Sequence, residues 1–283
     1  MHHLYSSKDI KQIDQLAVEH ISMEELIDEV GVCLAQWFVK NIPKNQRLIV
    51  LCGPGNNGKD GQALAKHLAS LEYKVESVLA LKENSIDFAP YDVVVDAVFG
   101  ISIDREIPRG LATQMKEVNS LDKTVIAIDV PSGVDANTGK IWGQTFRANI
   151  TLTIGGLKRG LYLSPALEYV GEVVTIEVPT LKPYFEKIKA SGSLLQWQKA
   201  WLEKIKPKTS DHKYSRGKLS VVMGANFPGA ALLAAYAAQK IGAGYVQIFA
   251  PKNLVDKCRI EHPSFVFKEY SSIKNLRELL SVK

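Results

Sequence analysis

The sequence predicts an α/β protein: a Rossmann-like three-layer sandwich with a mostly parallel sheet, followed by a shorter α/β segment. Three observations predict it. Short, nearly continuous apolar runs such as RLIVLC (Arg47–Cys52) alternate with stretches of helical spacing up to about residue 178, and strands of that kind need cover on both faces. Polar loops follow three of these runs, where open parallel sheets bind ligands. After a charged stretch, a second strand–helix–strand pattern begins near residue 218.

The elements follow in order. Ser7 can cap a helix whose apolar residues Ile10, Ile13, Leu16 and Ala17 fall on one face. His2 and His3, near the terminus, are expected to be disordered. Ser22 with Glu25 reads as a capping box that opens a second helix towards Phe38, and Pro43 ends that region. Residues 47–52, 74–81, 91–98, 124–130, 150–154 and 172–178 are strand-like, with helices over 60–71 and around 111–118. The Rossmann-like domain is therefore assigned to residues 1–179 and a charged, helical linker to 180–214. The second segment, 215–283, opens with a strand at 218–223, a turn, an alanine-rich helix at 230–241 and a strand at 245–250.

Composition excludes several classes. The chain has 283 residues, 46% hydrophobic and 23% charged, with a net charge of +5, which is ordinary for a globular protein. The densest basic stretch, residues 199–218, is interrupted by Glu203 and Asp211 and is too short and too poor in aromatics to argue for nucleic acid. Cys33, Cys52 and Cys258 are far apart and odd in number, which argues against a disulfide framework or a zinc site and fits a reducing compartment. His20, His67, His212 and His262 share no metal-ligand spacing. No signal-peptide core precedes Lys11, and no run approaches the roughly 20 apolar residues that span a bilayer. A cytoplasmic protein with neither nucleic-acid nor membrane partners is expected.

Three loops carry the chemistry. Residues 53–61 read GPGNNGKDG; glycines let backbone approach a ligand, and the helix that follows offers N–H groups to an anion. The spelling is one residue from a phosphate-binding P-loop, but Asp60 stands where Ser or Thr would hold Mg²⁺, so a nucleoside triphosphatase is not expected. The glycine spacing also differs from the dehydrogenase fingerprint. The same loop reads as a tight turn with Asp60 as helix N-cap. In VVVDAVFG (residues 93–100), Asp96 interrupts an apolar run and needs a cation, a backbone cluster or a basic side chain as partner; it also reads as a structural carboxylate capping the loop. In IAIDVPSGVD (residues 126–135), Asp129 ends a buried strand and Ser132 adds a hydroxyl. Asp96 and Asp129 together suit an oxygen-lined cation site or an acid/base site, while the third loop alone also reads as a Pro-Ser-Gly turn with a capping Asp.

Taken together, GPGNNGKDG, VDAVFG and DVPSGVDANTG, in this order and approximate separation, resemble the YjeF N-terminal domain family, the NAD(P)H-hydrate epimerases. The resemblance covers about residues 7–179. It implies a substrate-binding loop at Asn56, Asn57, Gly58, Lys59 and Asp60. It also implies that the nucleotide portion is held by Gly100, Ile101, Ser102 and Ile103 with Asp104, Arg105 and Glu106. Asn57, Asp96 and Ser132 would bind a potassium ion, and Asp129 would contact the hydrated nicotinamide and carry the acid/base chemistry. The implied reaction interconverts the R and S epimers of NADHX and NADPHX. A homodimer and a separate dehydratase acting in sequence are the implied partners.

The segments HKYSRGKLSVVMGA and PGAALLAAYAAQKIGAGYVQIFAP resemble the opening of the ribokinase-like NAD(P)HX dehydratase domain. That family's later glycine-rich segment, with its catalytic aspartate, and its ADP-binding region have no counterpart before Lys283. Dehydratase activity is therefore expected to be absent. The rival readings are a non-catalytic nucleotide-binding or protein-interaction scaffold, against which the retention of Asn57, Asp60, Asp96 and Asp129 argues, and a cofactor-using dehydrogenase, which the glycine spacing disfavours.

Overall fold

The structure, a computed structural model, describes residues 2–82, 86–195 and 198–281. It divides into two compact units, Met1–Leu195 and Gln196–Lys283. The first unit opens with β1 (His2–Tyr5), α1 (Ser7–Val18) and α2 (Met23–Asn41), followed by β2 (Arg47–Cys52), α3 (Asn56–Ser70) and β3 (Lys74–Leu79). Then come β4 (Val93–Ala97), α4 (Arg109–Ser120), β5 (Thr124–Ile128), β6 (Ile150–Ile154), β7 (Leu157–Lys158) and β8 (Glu172–Ile176). The unit ends with α5 (Lys182–Lys187) and β9 (Gly192–Leu194).

Six strands form one parallel sheet in the order β3-β2-β4-β5-β6-β8. Alternation along the strands explains the continuous apolar runs. Leu48, Val50, Val93, Val95, Ile126 and Ile128 pack towards α1, α2 and α3. Ile49, Leu51, Val94, Val125 and Ala127 pack towards Leu111, Met115 and Val118 of α4. Each central strand is thus buried on both sides, as the three-layer expectation required. Chain order reverses between β2 and β4, and the crevice beyond the carboxyl ends of these neighbours is where such sheets place ligands.

The helix starts are specified locally. Ser22 and Glu25 close a capping box, with Glu25 N–H donating to Ser22 Oγ at 3.1 Å and Ser22 N–H to Glu25 Oε2 at 2.8 Å. For α1 the cap is Ser6 rather than Ser7, because Asp9 completes the reciprocal box: Asp9 N–H donates to Ser6 Oγ (3.2 Å) and Ser6 N–H to Asp9 Oδ2 (2.8 Å). Ser7 instead binds Asn137, whose Oδ1 accepts the Ser7 N–H (2.8 Å) and whose amide donates to Ser7 Oγ (2.7 Å). The DANTG segment therefore anchors α1 over the sheet.

Two expectations are corrected. His2 and His3 are ordered in β1, which pairs parallel with β7 and antiparallel with β9. The stretch after Pro179 does not become linker at once: Leu181 and Tyr184 join the main core, and β9 completes the small sheet β7-β1-β9. Of the assigned linker, residues 196 and 197 lie outside the described residues.

The second unit comprises α6 (Lys199–Ile205), β10 (Lys218–Val222), α7 (Pro228–Ile241), β11 (Tyr245–Pro251), α8 (Lys252–Glu261), β12 (Val266–Tyr270) and α9 (Ile273–Ser281). Its three strands are parallel in the order β10-β11-β12, and Met223, Ala235, Ile248, Val255 and Phe267 build its core. Among the described residues, no helix is long and apolar enough to cross a membrane.

Candidate active site

At the β2/β4 switch point, α3 begins at Asn56 directly after the Gly55 cap, which offers no side-chain hydrogen bond. The free N–H groups of that first turn therefore point to the crevice mouth. The glycines are required by close approach. A methyl group on Gly58 would overlap the Gly53 carbonyl, and one on Gly53 would overlap the Val98 carbonyl. The first loop is thus pressed against the loop after β4. Asp60 is not the N-cap; it lies inside α3.

Asp96 is fully buried at the end of β4. Its Oδ2 accepts the Ser132 N–H (2.7 Å), and its Oδ1 accepts the Ser132 hydroxyl (2.6 Å) and the Val98 N–H (3.2 Å). Ser132 Oγ in turn accepts the Phe99 N–H at 2.7 Å. This carboxylate ties the second loop to the third, and burial still pushes its carboxyl up to about 6 against the pull of those hydrogen bonds. Asn57, also buried, leaves both amide atoms without a partner among the described residues. It faces the same loop: a methyl group on Gly100 would sit 3.5 Å from Asn57 Oδ1.

A cleft of about 520 Å³ opens beside these loops. Asn56, Asn57, Asp60, Gly100 to Glu106 and Asp129 line it, together with Asp14 of α1 and Lys158 of β7. Gly58, Lys59, Asp96 and Ser132 lie outside that lining; Lys59 is exposed, and the other three are buried beneath the loops.

Asp129 has a left-handed backbone, φ +66°, a conformation that costs a non-glycine residue about 1–2 kcal/mol. It is held there on both sides: its N–H donates to the Leu152 carbonyl (2.8 Å), and its Oδ1 accepts the Ile154 N–H (3.1 Å). The same Oδ1 forms a salt bridge with the Lys158 ammonium, which also donates to the Ile154 carbonyl at 2.7 Å.

Asp129, Asp60 and Asp14 thus share the cleft with this buried ammonium, and Lys11, Asp104, Arg105 and Glu106 also line it. The Asp60 carboxyl is held well above the usual carboxylate range, first by burial and then by the charges of Asp129 and Asp14, with Lys158 and Lys59 opposing. Burial lifts the Asp14 carboxyl to about 6, with Lys158 pulling it down and Asp129 pushing it up.

Sequence reasoning did not single out Lys158 or Asp14. Signals for both existed. Asp14 falls on the buried stripe of α1 between Ile10, Ile13 and Ala17. Lys158 follows the carboxyl end of β6, where the rule used for the other loops applies equally.

A folded-state carboxyl raised above its unfolded value contributes stability below the unfolded value, and loses that contribution as pH rises through the folded one. For Asp14 this window runs from about pH 4 to about pH 6. Asp14→Asn is expected to leave stability unchanged at pH 3.5 and to raise it by on the order of 2 kcal/mol at pH 7.5. Urea unfolding at the two pH values checks this; an equal effect at both would contradict it.

Comparison with known proteins places the chain. Residues 23–88 and 80–160 match the family model for the YjeF-related protein N-terminus. The NAD(P)H-hydrate epimerase of Leuconostoc mesenteroides is 31% identical over 207 aligned positions, covering 65% of this chain and 94% of that protein. The chain belongs to this YjeF N-terminal family. A second epimerase relative, from Leuconostoc citreum, is also 31% identical and is covered over 90% of its length. The bifunctional NAD(P)H-hydrate repair enzyme Nnr of Dictyoglomus turgidum is 28% identical across 99% of this chain. The chain spans 62% of the length of that relative.

Proposed function

We propose that the first unit epimerises C6 of hydrated NADH and NADPH, as a nicotinamide-nucleotide repair enzyme. The observation that carries this reading is Asp129, fixed on strained backbone at a strand end. It faces a cleft that also contains Asp60, a carboxyl biased towards its protonated form. A carboxyl biased towards its protonated form, beside one that is ion-paired with a buried ammonium, suits paired proton transfer. In one route the C6–O bond breaks as the hydroxyl takes a proton, leaving a cationic N1–C6 double bond. Water then returns to the other face and gives up a proton. In the other route the ring opens and closes. Asp129 would move the proton near C6 in either case. Asn56, Asn57 and the first turn of α3 would bind the substrate, while the loop from Gly100 to Glu106 would hold its nucleotide portion. These names of substrate come from the relatives; the cleft's volume and polar lining fit them.

A potassium ion bound by Asn57, Asp96 and Ser132 fits the residues present, because all three donors are oxygen atoms and the buried Asn57 amide has no partner among the described residues. Such an ion would organise the three loops and screen the carboxylates. Exchanging sodium for potassium at constant ionic strength is expected to raise Tm by several degrees, and Asn57→Ala should abolish the difference. Equal melting in both salts would contradict the ion site.

The test of the reaction is direct: R-enriched NADHX is incubated with the protein, and the two epimers are separated chromatographically. Approach to the epimer equilibrium faster than in the protein-free control supports the reading. A rate equal to the control favours a binding scaffold instead.

A further inference from the structure

Lys158 is 1% exposed, yet it carries an ammonium into the cleft lining. Burying such a charge costs several kcal/mol unless it is paired, and the fold positions it closely. Its backbone belongs to β7, two residues long and paired with β1 through Leu4↔Leu157 and Tyr5↔Lys158. Its ammonium reaches Asp129 Oδ1 and the Ile154 carbonyl (2.7 Å). Together with the Ile154 N–H, these contacts all fall on Oδ1 of the Asp129 carboxylate; among the described residues Oδ2 has no hydrogen-bond partner, which leaves it to the cleft that Asp129 lines.

The surroundings give that pairing a consequence. Asp14 from α1 and Asp60 from α3 face the same space, with Lys59 on the outer side of α3. Among the described residues, only Asp129 of the three carboxylates has a cationic partner within ion-pair distance. Lys11, Asp104, Arg105 and Glu106 line the cleft as well, but the buried Lys158 ammonium is in ion-pair contact with Asp129, and an opposite charge that close favours the charged form of the carboxylate it touches.

We propose that Lys158 is a positioning residue for the epimerisation: it holds Asp129 by Oδ1 as the anionic proton acceptor of the cleft and leaves Oδ2 directed at the substrate. This assignment rests on the epimerase reading above. A salt bridge that only stabilised the fold would alter melting without altering the pH dependence of turnover.

The experiment measures epimerisation by the full chain, from pH 5 to pH 9, for wild type, Lys158→Met, Lys158→Arg, Asp129→Asn and the Asp129→Asn/Lys158→Met double variant. Lys158→Met is expected to lower kcat about 100-fold with KM within about threefold, and to move the acid limb of the kcat profile at least about one pH unit upward. Lys158→Arg keeps the charge with a different reach, so it should recover between roughly a tenth and a third of wild-type kcat with the acid limb back in place. Because Lys158 acts through Asp129, the double variant should fall within about threefold of Asp129→Asn. A Lys158→Met kcat within about threefold of wild type, an unmoved acid limb, or losses that multiply in the double variant would each overturn the assignment. Should Lys158→Met fail to fold by circular dichroism, Lys158→Arg decides, and wild-type turnover in that variant overturns the assignment. Wild-type protein without epimerase turnover contradicts the functional reading itself, and the assignment falls with it.

Discussion

Asp129→Asn is expected to lower kcat for epimerisation by roughly 10²–10⁴-fold, the range for removing a positioned general acid or base. The substitution keeps the side chain's shape, so the cleft remains and KM should change by only a few-fold. It removes the charge that the buried Lys158 ammonium is paired with. Breaking one partner of a buried pair costs roughly 3–5 kcal/mol, and a lower Tm should therefore accompany the loss of turnover. Steady-state kinetics and thermal melting on the same sample check both. Undiminished kcat would remove Asp129 from the chemistry.

Gly58→Ala is the second large effect. The new methyl group would overlap the Gly53 carbonyl, a backbone atom in a loop that itself touches Val98. No side-chain rotation relieves this contact. The first turn of α3 must move off the β4 loop, which separates Asn57 from the Gly100 segment. A destabilisation of about 3 kcal/mol is expected from this overpacking, together with loss of saturable substrate binding. Chemical denaturation and a KM measurement check the two parts. A variant with wild-type stability and KM would show that the loops are not as tightly seated as this geometry requires.

Much of the first unit was legible because its central strands are buried on both faces. RLIVLC and VVVDA carry no polar face to confuse the period, and α4 has its apolar residues Leu111, Met115 and Val118 at helical spacing. Local rules read less well where the partners are distant. β1 is four residues long and gains its order from β7 and β9, more than 150 residues away, so nothing local to His2 and His3 could announce it. Lys158 is also hidden from local rules, because its strand has two residues and its meaning depends on Asp129, which follows β5 and stands 29 residues earlier. The boundary near Pro179 followed a rise in charge, whereas Leu181 and Tyr184 continue the core beyond it. Helix α8, strand β12 and helix α9 lie past residue 251, where the strand–helix reading had stopped.

Within the site, the three loops were found because glycine, asparagine and aspartate are unusual at the ends of apolar strands. How they interlock was not legible. Asp96 binding Ser132 through both backbone and hydroxyl joins loops 36 residues apart, and Asn57 left without partners is a property of packing. The DANTG segment illustrates the opposite case. It reads as part of the site motif, and its Asn137 anchors the start of α1, which carries Asp14 into the cleft.

The central claim is that this cleft moves the C6 hydroxyl of hydrated nicotinamide from one face to the other. The most direct measurement supplies R-enriched NADHX together with a separate S-specific dehydratase and follows the return of NADH absorbance. The account predicts that adding this protein accelerates the return well beyond spontaneous epimerisation, and that Asp129→Asn removes the acceleration. Recovery no faster than the dehydratase alone, with folded protein and potassium present, would contradict it.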